Sequence, residues 1–358
     1  MNMSEKIKVL IVDDASFMVK AVRDILETDP DIEVIGSAKN GKDALEKIKQ
    51  NKPDVITLDV DMPIMDGLSA VRHIMIHEPV PIVMLSSLFE HGDITFEALR
   101  LGVVDFLPKL SGAISRDIHD QGHQIVERVK IAAAENINNV HRVKLNKIDV
   151  REQLAERYGF NDLESIITMG TTLGGPNTII RLMSTLSPNL PAATVVIQEI
   201  GVNILPAFVE EFNKYTPWKV EVGSEGKVLE PGSCYICSYN EPMSVQLNQN
   251  HEVVLKSNTD TRKPLNTLFS SAAEVFEQNT VGVLLTGVGS DGEYGFEQIK
   301  EHSGITIAQN TETCVYPNLT QCAIEHGVVD YVDDANQLSE QIEKAIRSRT
   351  QDNYIASS

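Results

Sequence analysis

The sequence predicts an α/β protein of two folded units joined by a helical connector. Short apolar runs alternate with segments of helical period, and polar residues collect just after the apolar runs. A length of 358 residues is also more than one ordinary domain needs.

In the first unit, residues 9–12 form an apolar run bounded by charge, the form of a strand buried on both faces. Met18, Val22, Ile25 and Leu26 then recur at helical spacing. Residues 32–38 read as a second strand, and Ala44, Leu45 and Ile48 mark a second helix. Residues 55–58 give a third strand, followed by a loop punctuated by Pro63 and the Asp66-Gly67 pair. Leu68, Val71, Ile74 and Met75 make the next helical face. Residues 82–85, 94–99 and 104–106 supply the last strand, helix and strand. Five strands alternating with helices predict a doubly wound parallel sheet.

Asp13 and Asp14 end the first strand, Asp59 the third and Ser86 the fourth, and Lys109 follows the fifth. Open parallel sheets bind ligands outside these strand ends. Three carboxylates there repel one another unless a hard cation intervenes, and Mg²⁺ takes carboxylate, carbonyl and water oxygens. A phosphoryl group on Asp59 could then be held with Mg²⁺ and Lys109 offsetting its oxygens. Solvated caps would account for Asp13 alone but poorly for the whole set.

The segments IVDDASFM, LDVDMPIMDG, MLSS and DFLPK resemble a response-regulator receiver domain, expected over residues 1–125. The resemblance implies that Asp59 is the phosphoacceptor and a sensor histidine kinase the phosphodonor. It implies Mg²⁺ at Asp13, Asp14, Asp59 and the backbone of Asp61. Ser86 would sense the phosphoryl group, Phe106 would be the switch aromatic and Lys109 the site lysine. Leu110 stands where the family usually has proline, which predicts a trans Lys109–Leu110 bond.

Residues 126–162 are charged and short of strand runs, with helical fragments at 125–134 and 151–158. They predict a helical linker, with a long interdomain or dimerisation helix as the competing reading. Residues 166–169 start a new strand. A Gly-rich turn with Gly170, Thr171, Gly174 and Gly175 follows, then a helix through Ile179, Ile180, Leu182 and Met183. Such a turn can aim backbone N–H groups at an anion or oxyanion, or can simply be a tight βα connection. Further strands are expected at 194–198, 220–222, 234–237, 253–255, 281–285 and 305–309. Asp291 lies in a Gly-rich segment after the run at 281–285. A final helix places Leu338, Ile342, Ala345 and Ile346 on one face, and residues 350–358 are expected to be a flexible tail.

Composition removes other classes. Acidic residues outnumber basic ones by 51 to 31, for a net charge of -20, which disfavours nucleic-acid or anionic-lipid surfaces. No run approaches the roughly 20 apolar residues of a membrane helix, so no membrane insertion is expected. The polar start at residues 1–6 has no apolar signal region behind it. Four cysteines suit a reducing cytoplasm. Cys234 and Cys237 have redox or zinc spacing, but in a strand they face opposite sides, which predicts a buried structural pair.

MGTTLGG, VVIQE, PGSCYIC, VGVLLTGVGSDGEYG and IAQNTETC resemble the catalytic domain of the chemotaxis protein-glutamate methylesterases. This output domain is expected over residues 163–349. The resemblance implies a doubly wound parallel sheet with an antiparallel hairpin, no organic cofactor, and a serine–histidine–aspartate triad. Carried over by position, the triad falls on Thr172, Glu199 and Asp291. The family's Gly-Met-Pro segment falls on Asn318, Leu319 and Thr320, and its His-Arg-Pro-Ser stretch on Arg262, Lys263, Pro264 and Leu265.

Threonine keeps a hydroxyl, but a hydroxyl needs a neighbouring base. A carboxylate near its reference pKa of about 4.3 is a weak base beside histidine at about 6.5, and it cannot form the imidazolium that Asp291 would stabilise. None of the nine histidines fills the gap by position. The leading expectation is therefore a phosphorylation-controlled chemotaxis protein whose output domain acts by binding a chemoreceptor or another signalling protein. The alternatives are an active methylesterase with Thr172 as nucleophile, and a ligand-binding sensor.

Overall fold

The computed structural model describes residues 5–86, 92–109, 116–134, 137–140, 143, 145, 147, 148, 162–259 and 262–356. The chain divides into two compact units, Met1–Arg142 and Val143–Ser358.

In the first unit, β1 (Ile7–Val12), β2 (Ile32–Ala38), β3 (Val55–Asp59), β4 (Ile82–Ser86) and β5 (Asp105–Pro108) form a parallel sheet in the order β2-β1-β3-β4-β5. The connecting helices are α1 (Ser16–Leu26), α2 (Gly41–Gln50), α3 (Gly67–His77) and α4 (Gly92–Leu101), and α5 (Arg116–Ala133) follows β5. The predicted runs are the strands because Val9–Val12 and Val55–Asp59 are buried along their length, as a sheet covered on both faces requires. Asn40 caps α2 by accepting from Asp43 N, and Asp66 caps α3 by accepting from Ser69 N at 2.7 Å. A Cβ at Gly67 would lie 2.1 Å from the Asp59 carbonyl oxygen, so only glycine lets α3 start this close to the end of β3.

α5 runs through position 125, so the expected linker boundary falls inside a helix. Leu110 and the helical fragment expected at 151–158 lie outside the described residues.

The second unit holds β6 (Ser165–Gly170), β7 (Ala192–Gln198), β8 (Lys219–Val222), β9 (Ser233–Ser238), β10 (Met243–Leu247), β11 (Val253–Ser257), β12 (Thr280–Leu284), β13 (Ile305–Gln309) and β14 (Tyr331–Asp333). Seven of them form a sheet of parallel pairs in the order β14-β13-β12-β6-β7-β9-β8. β10 and β11 are the antiparallel hairpin. The helices are α6 (Gly175–Thr185), α7 (Leu205–Phe212), α8 (Pro264–Phe276), α9 (Glu293–Glu301), α10 (Asn318–Glu325) and α11 (Leu338–Ala356). The core between sheet, hairpin and α8 gathers Ile197, Tyr235, Leu265, Phe269 and Phe296, with the Phe269 and Phe296 rings 5.0 Å apart.

Two differences from the sequence reading have plain causes. β14 has three residues and two exposed side chains, too short and too wet to show as an apolar run. The last helix continues to Ala356, past position 350 where the tail was expected to begin, and no proline or glycine stands between 350 and 356 to stop it. Cys234 and Cys237 are both buried and free. Burial pushes the Cys237 thiol up to about 12 and the Cys234 thiol higher still, which suits packing rather than thiolate chemistry. Among the described residues no helix is long and apolar enough to cross a membrane.

Candidate functional site

Sheet register builds the first site. Val12 pairs with Leu58, so the residues that follow, Asp13 and Asp59, stand side by side at the strand ends. Ser86 pairs with Pro108, and Lys109 N donates to Ser86 O at 2.9 Å, which delivers the lysine to the same place. Lys109 Nζ bridges the two acids, 2.7 Å from Asp59 Oδ2 and 2.9 Å from Asp13 Oδ2. Asp13 Oδ1 accepts from Ala15 N, and Asp59 Oδ1 accepts from Val60 N, which fixes both carboxylates. Asp14 is exposed, yet one oxygen from each of Asp13, Asp14 and Asp59 lies within 4.8 Å of the others. Ser86 is buried at the end of β4 and Phe106 within β5, and Asp61 follows Asp59 by two positions.

Burial pushes the Asp59 carboxyl above the usual range and Asp13 adds to this, against the opposing pull of Lys109 and the Val60 N–H. Burial also disfavours the Lys109 ammonium, but its bonds to Asp59 and Asp13 outweigh that and hold its pKa above normal. An all-oxygen cluster of three acids beside one ammonium has the donor set of a Mg²⁺ site.

The second candidate site lies at the strand ends of the other sheet. Gly174 adopts φ +73° ahead of α6, where a side chain would be strained. In this turn Thr171 N donates to Ile197 O and Gly175 N to Thr172 O, so these two N–H groups are not an open anion cradle. A Cβ at Gly170 would crowd Leu265 and Phe269, so this glycine serves close packing against α8. Thr172 Oγ1 accepts from Val288 N at 2.7 Å and donates to Val288 O at 3.1 Å. Its one proton is directed at that backbone carbonyl.

Asp291 is 3% exposed and serves a different set of partners. Its Oδ2 accepts from Leu265 N at 2.8 Å and from the Tyr239 hydroxyl at 3.1 Å, and its Oδ1 accepts from Asn266 N at 3.1 Å. The carboxylate therefore caps the first turn of α8. Burial pushes its pKa up, and the three donors and Lys263 pull it down. Tyr239 N donates to Gln198 O, placing the tyrosine beside the end of β7, where Glu199 follows. Burial pushes the Tyr239 phenol well above its usual range, and the charges of Asp291 and Glu199 push the same way. Sequence reasoning missed Tyr239. Its only signal was a tyrosine at the end of a strand neighbouring β7, 52 positions from Asp291.

The two halves match family models in order. Residues 9–115 match the response regulator receiver domain, and residues 167–342 match the CheB methylesterase. A protein-glutamate methylesterase/protein-glutamine glutaminase of Pyrococcus horikoshii is 33% identical over 351 residues, covering 96% of this chain and 95% of the relative. The chain belongs to the CheB methylesterase family. A Carboxydothermus hydrogenoformans protein of the same description (its number 2) is 36% identical, with 96% of this chain and 99% of the relative covered. The solved response regulator domain of Thermotoga maritima CheB is 43% identical to part of this CheB-family chain. It covers 36% of the chain and 97% of that domain, with a TM-score of 0.34. A two-component, chemotaxis signalling role with a CheB-like output domain follows from this membership.

Proposed function

We propose that the chain is a phosphorylation-controlled chemotaxis regulator in which Asp59 receives the phosphoryl group and the methylesterase-like unit acts by binding instead of ester hydrolysis. A sensor histidine kinase supplies the group. The Asp59 carboxylate attacks phosphorus, the P–N bond to the donor imidazole breaks, and the donor ring takes a proton from solvent. Asp13, Asp14, Asp59 and the Asp61 backbone would hold Mg²⁺, which when bound offsets charge on phosphoryl oxygens. Lys109, already 2.7 Å from Asp59, contributes the second positive charge. The Ser86 hydroxyl senses the new group, and Phe106 relays the change.

One observation carries the reading of the output unit: the Thr172 hydroxyl is bonded in both directions to Val288. A nucleophile must surrender its proton to a base, and here the proton lies on a backbone carbonyl that cannot take it. Thr172, Glu199 and Asp291 occupy the positions assigned to serine, histidine and aspartate, and Asp291 is engaged with Tyr239 and α8. The partner is then a chemoreceptor or another signalling protein held at this face.

The deciding measurement is methanol release from methylated chemoreceptor by the full chain, with and without phosphorylation. No turnover in either state, with phosphorylation-dependent receptor binding, is the expected result. Turnover at the level of a complete serine enzyme that disappears in Thr172→Ala would establish the second reading, an active methylesterase using the retained Thr172 hydroxyl.

A further inference from the structure

α3 carries a feature that the phosphoryl site does not use. His73 and His77 sit one turn apart on its exposed side, with ring centroids 6.1 Å apart and planes inclined by 20°. Residues four apart on a helix share a face, with Cβ atoms roughly 5–6 Å from each other. Neither ring has a hydrogen-bond or ion-pair partner among the described residues. The contrast is the Cys322 and His326 pair on α10, also four apart, where His326 Nδ1 lies 2.7 Å from the Cys322 carbonyl oxygen and one ring nitrogen is already engaged.

The helix beneath the pair is rigid. Gly67, Ala70, Val71 and Ile74 are buried on its inner face, and Asp66 caps its first turn. The helix therefore presents the two imidazoles from neighbouring positions on one face, so binding need not bring distant segments together. Two neutral imidazoles are a nitrogen donor set that suits Zn²⁺, Cu²⁺ and Ni²⁺, whereas Mg²⁺ and Ca²⁺ prefer oxygen. Zinc takes histidine nitrogens at about 2.0–2.1 Å, and exposed rings are free to turn their nitrogens toward one ion. Two histidines four apart on a helix are also a recurrent zinc-binding spacing. The net charge of -20 raises the local concentration of cations around the whole chain.

We propose that His73 and His77 form a surface chelate for a borderline divalent cation of the zinc type, separate from the oxygen cluster of Asp13, Asp14 and Asp59. Its other coordination positions are filled by water or by a ligand from outside the chain.

The test uses the full chain with excess Mg²⁺ present, so that the acid cluster is occupied by its own kind of ion. Calorimetric titration with zinc chloride is expected to show one bound ion per chain at this site. Loss of an outer partner already costs a metal site about 10–100-fold, so removing a direct ligand in His73→Gln or in His77→Gln should weaken binding at least about tenfold. Both side chains are exposed, so both variants should keep the wild-type circular dichroism and melting curve. In the wild type, zinc should also shield both imidazoles from diethyl pyrocarbonate, mapped residue by residue by mass spectrometry. Zinc affinity unchanged in both variants would overturn the chelate, because the ion would then reside elsewhere. Weakening in one variant alone, or shielding of one ring alone, would also overturn it by reducing the site to a single histidine.

Discussion

The Tyr239 hydroxyl donates to Asp291 Oδ2 at 3.1 Å, joining the end of β9 to the cap of α8 across 52 positions of sequence. A histidine placed at position 199 to serve as a base would need this same carboxylate to orient its ring. Asp291 already has three donors, so it has a structural role in holding the first turn of α8.

Tyr239→Phe should therefore destabilise the chain by about 1–2 kcal/mol, measured by urea unfolding. Burial raises the Asp291 pKa, so its protonated form favours folding, and that contribution is lost as pH rises through the folded pKa. The phenol lowers the same pKa by stabilising the carboxylate. The cost of Tyr239→Phe should thus be larger at neutral pH than below the Asp291 pKa. An equal cost at both would show that the bond does not favour the ionised acid.

Placing serine at 172 and histidine at 199 together should not give a working esterase. Thr172→Ser combined with Glu199→His is expected to release methanol at least roughly a thousandfold more slowly than a complete serine hydrolase, because Asp291 remains bound to Tyr239. A double variant working at the full rate would show that Tyr239 yields its place freely.

Thr172→Val keeps the shape of the side chain and deletes both bonds to Val288. It leaves the half-buried Val288 N–H without its partner and should cost about 1 kcal/mol in the same unfolding assay. Stability equal to wild type would mean that the hydroxyl is not held by Val288 in solution.

At the phosphoryl site, Mg²⁺ should raise the melting temperature of the wild type by binding the folded chain, and do so much less in Asp13→Asn. Beryllofluoride with Mg²⁺ should shift tryptic cleavage of the wild type and leave Asp59→Asn unchanged. If both proteins respond alike, Asp59 is not the acceptor.

Lys109 opposes the upward shift of the Asp59 pKa, so Lys109→Met should raise that pKa further. Only ionised Asp59 attacks phosphorus, and the acid limb of phosphorylation by acetyl phosphate should move to higher pH. An unmoved limb would mean that Lys109 does not contact ionised Asp59.

The acid cluster was legible in the sequence because parallel sheets bring their strand ends to one edge. Asp13, Asp14, Asp59, Ser86 and Lys109 each end or follow an apolar run, so finding the strands almost located the cluster. The positions of Thr172, Glu199 and Asp291 came instead from the resemblance to the methylesterases, not from the strand pattern. β14 and the full extent of the last helix could not be read, because neither carries a strong periodic signal.

Sequence by itself determined two α/β units and the acid cluster at the strand ends of the first. Only the tertiary structure decided what the polar groups of the second unit are bonded to. Thr172 meets Val288 116 positions away, and Tyr239 meets Asp291 from a separate strand. A buried hydroxyl or carboxylate must satisfy its hydrogen bonds with whatever packing brings near. Local pattern places a residue at a strand end, but it does not name the partner that arrives from another element.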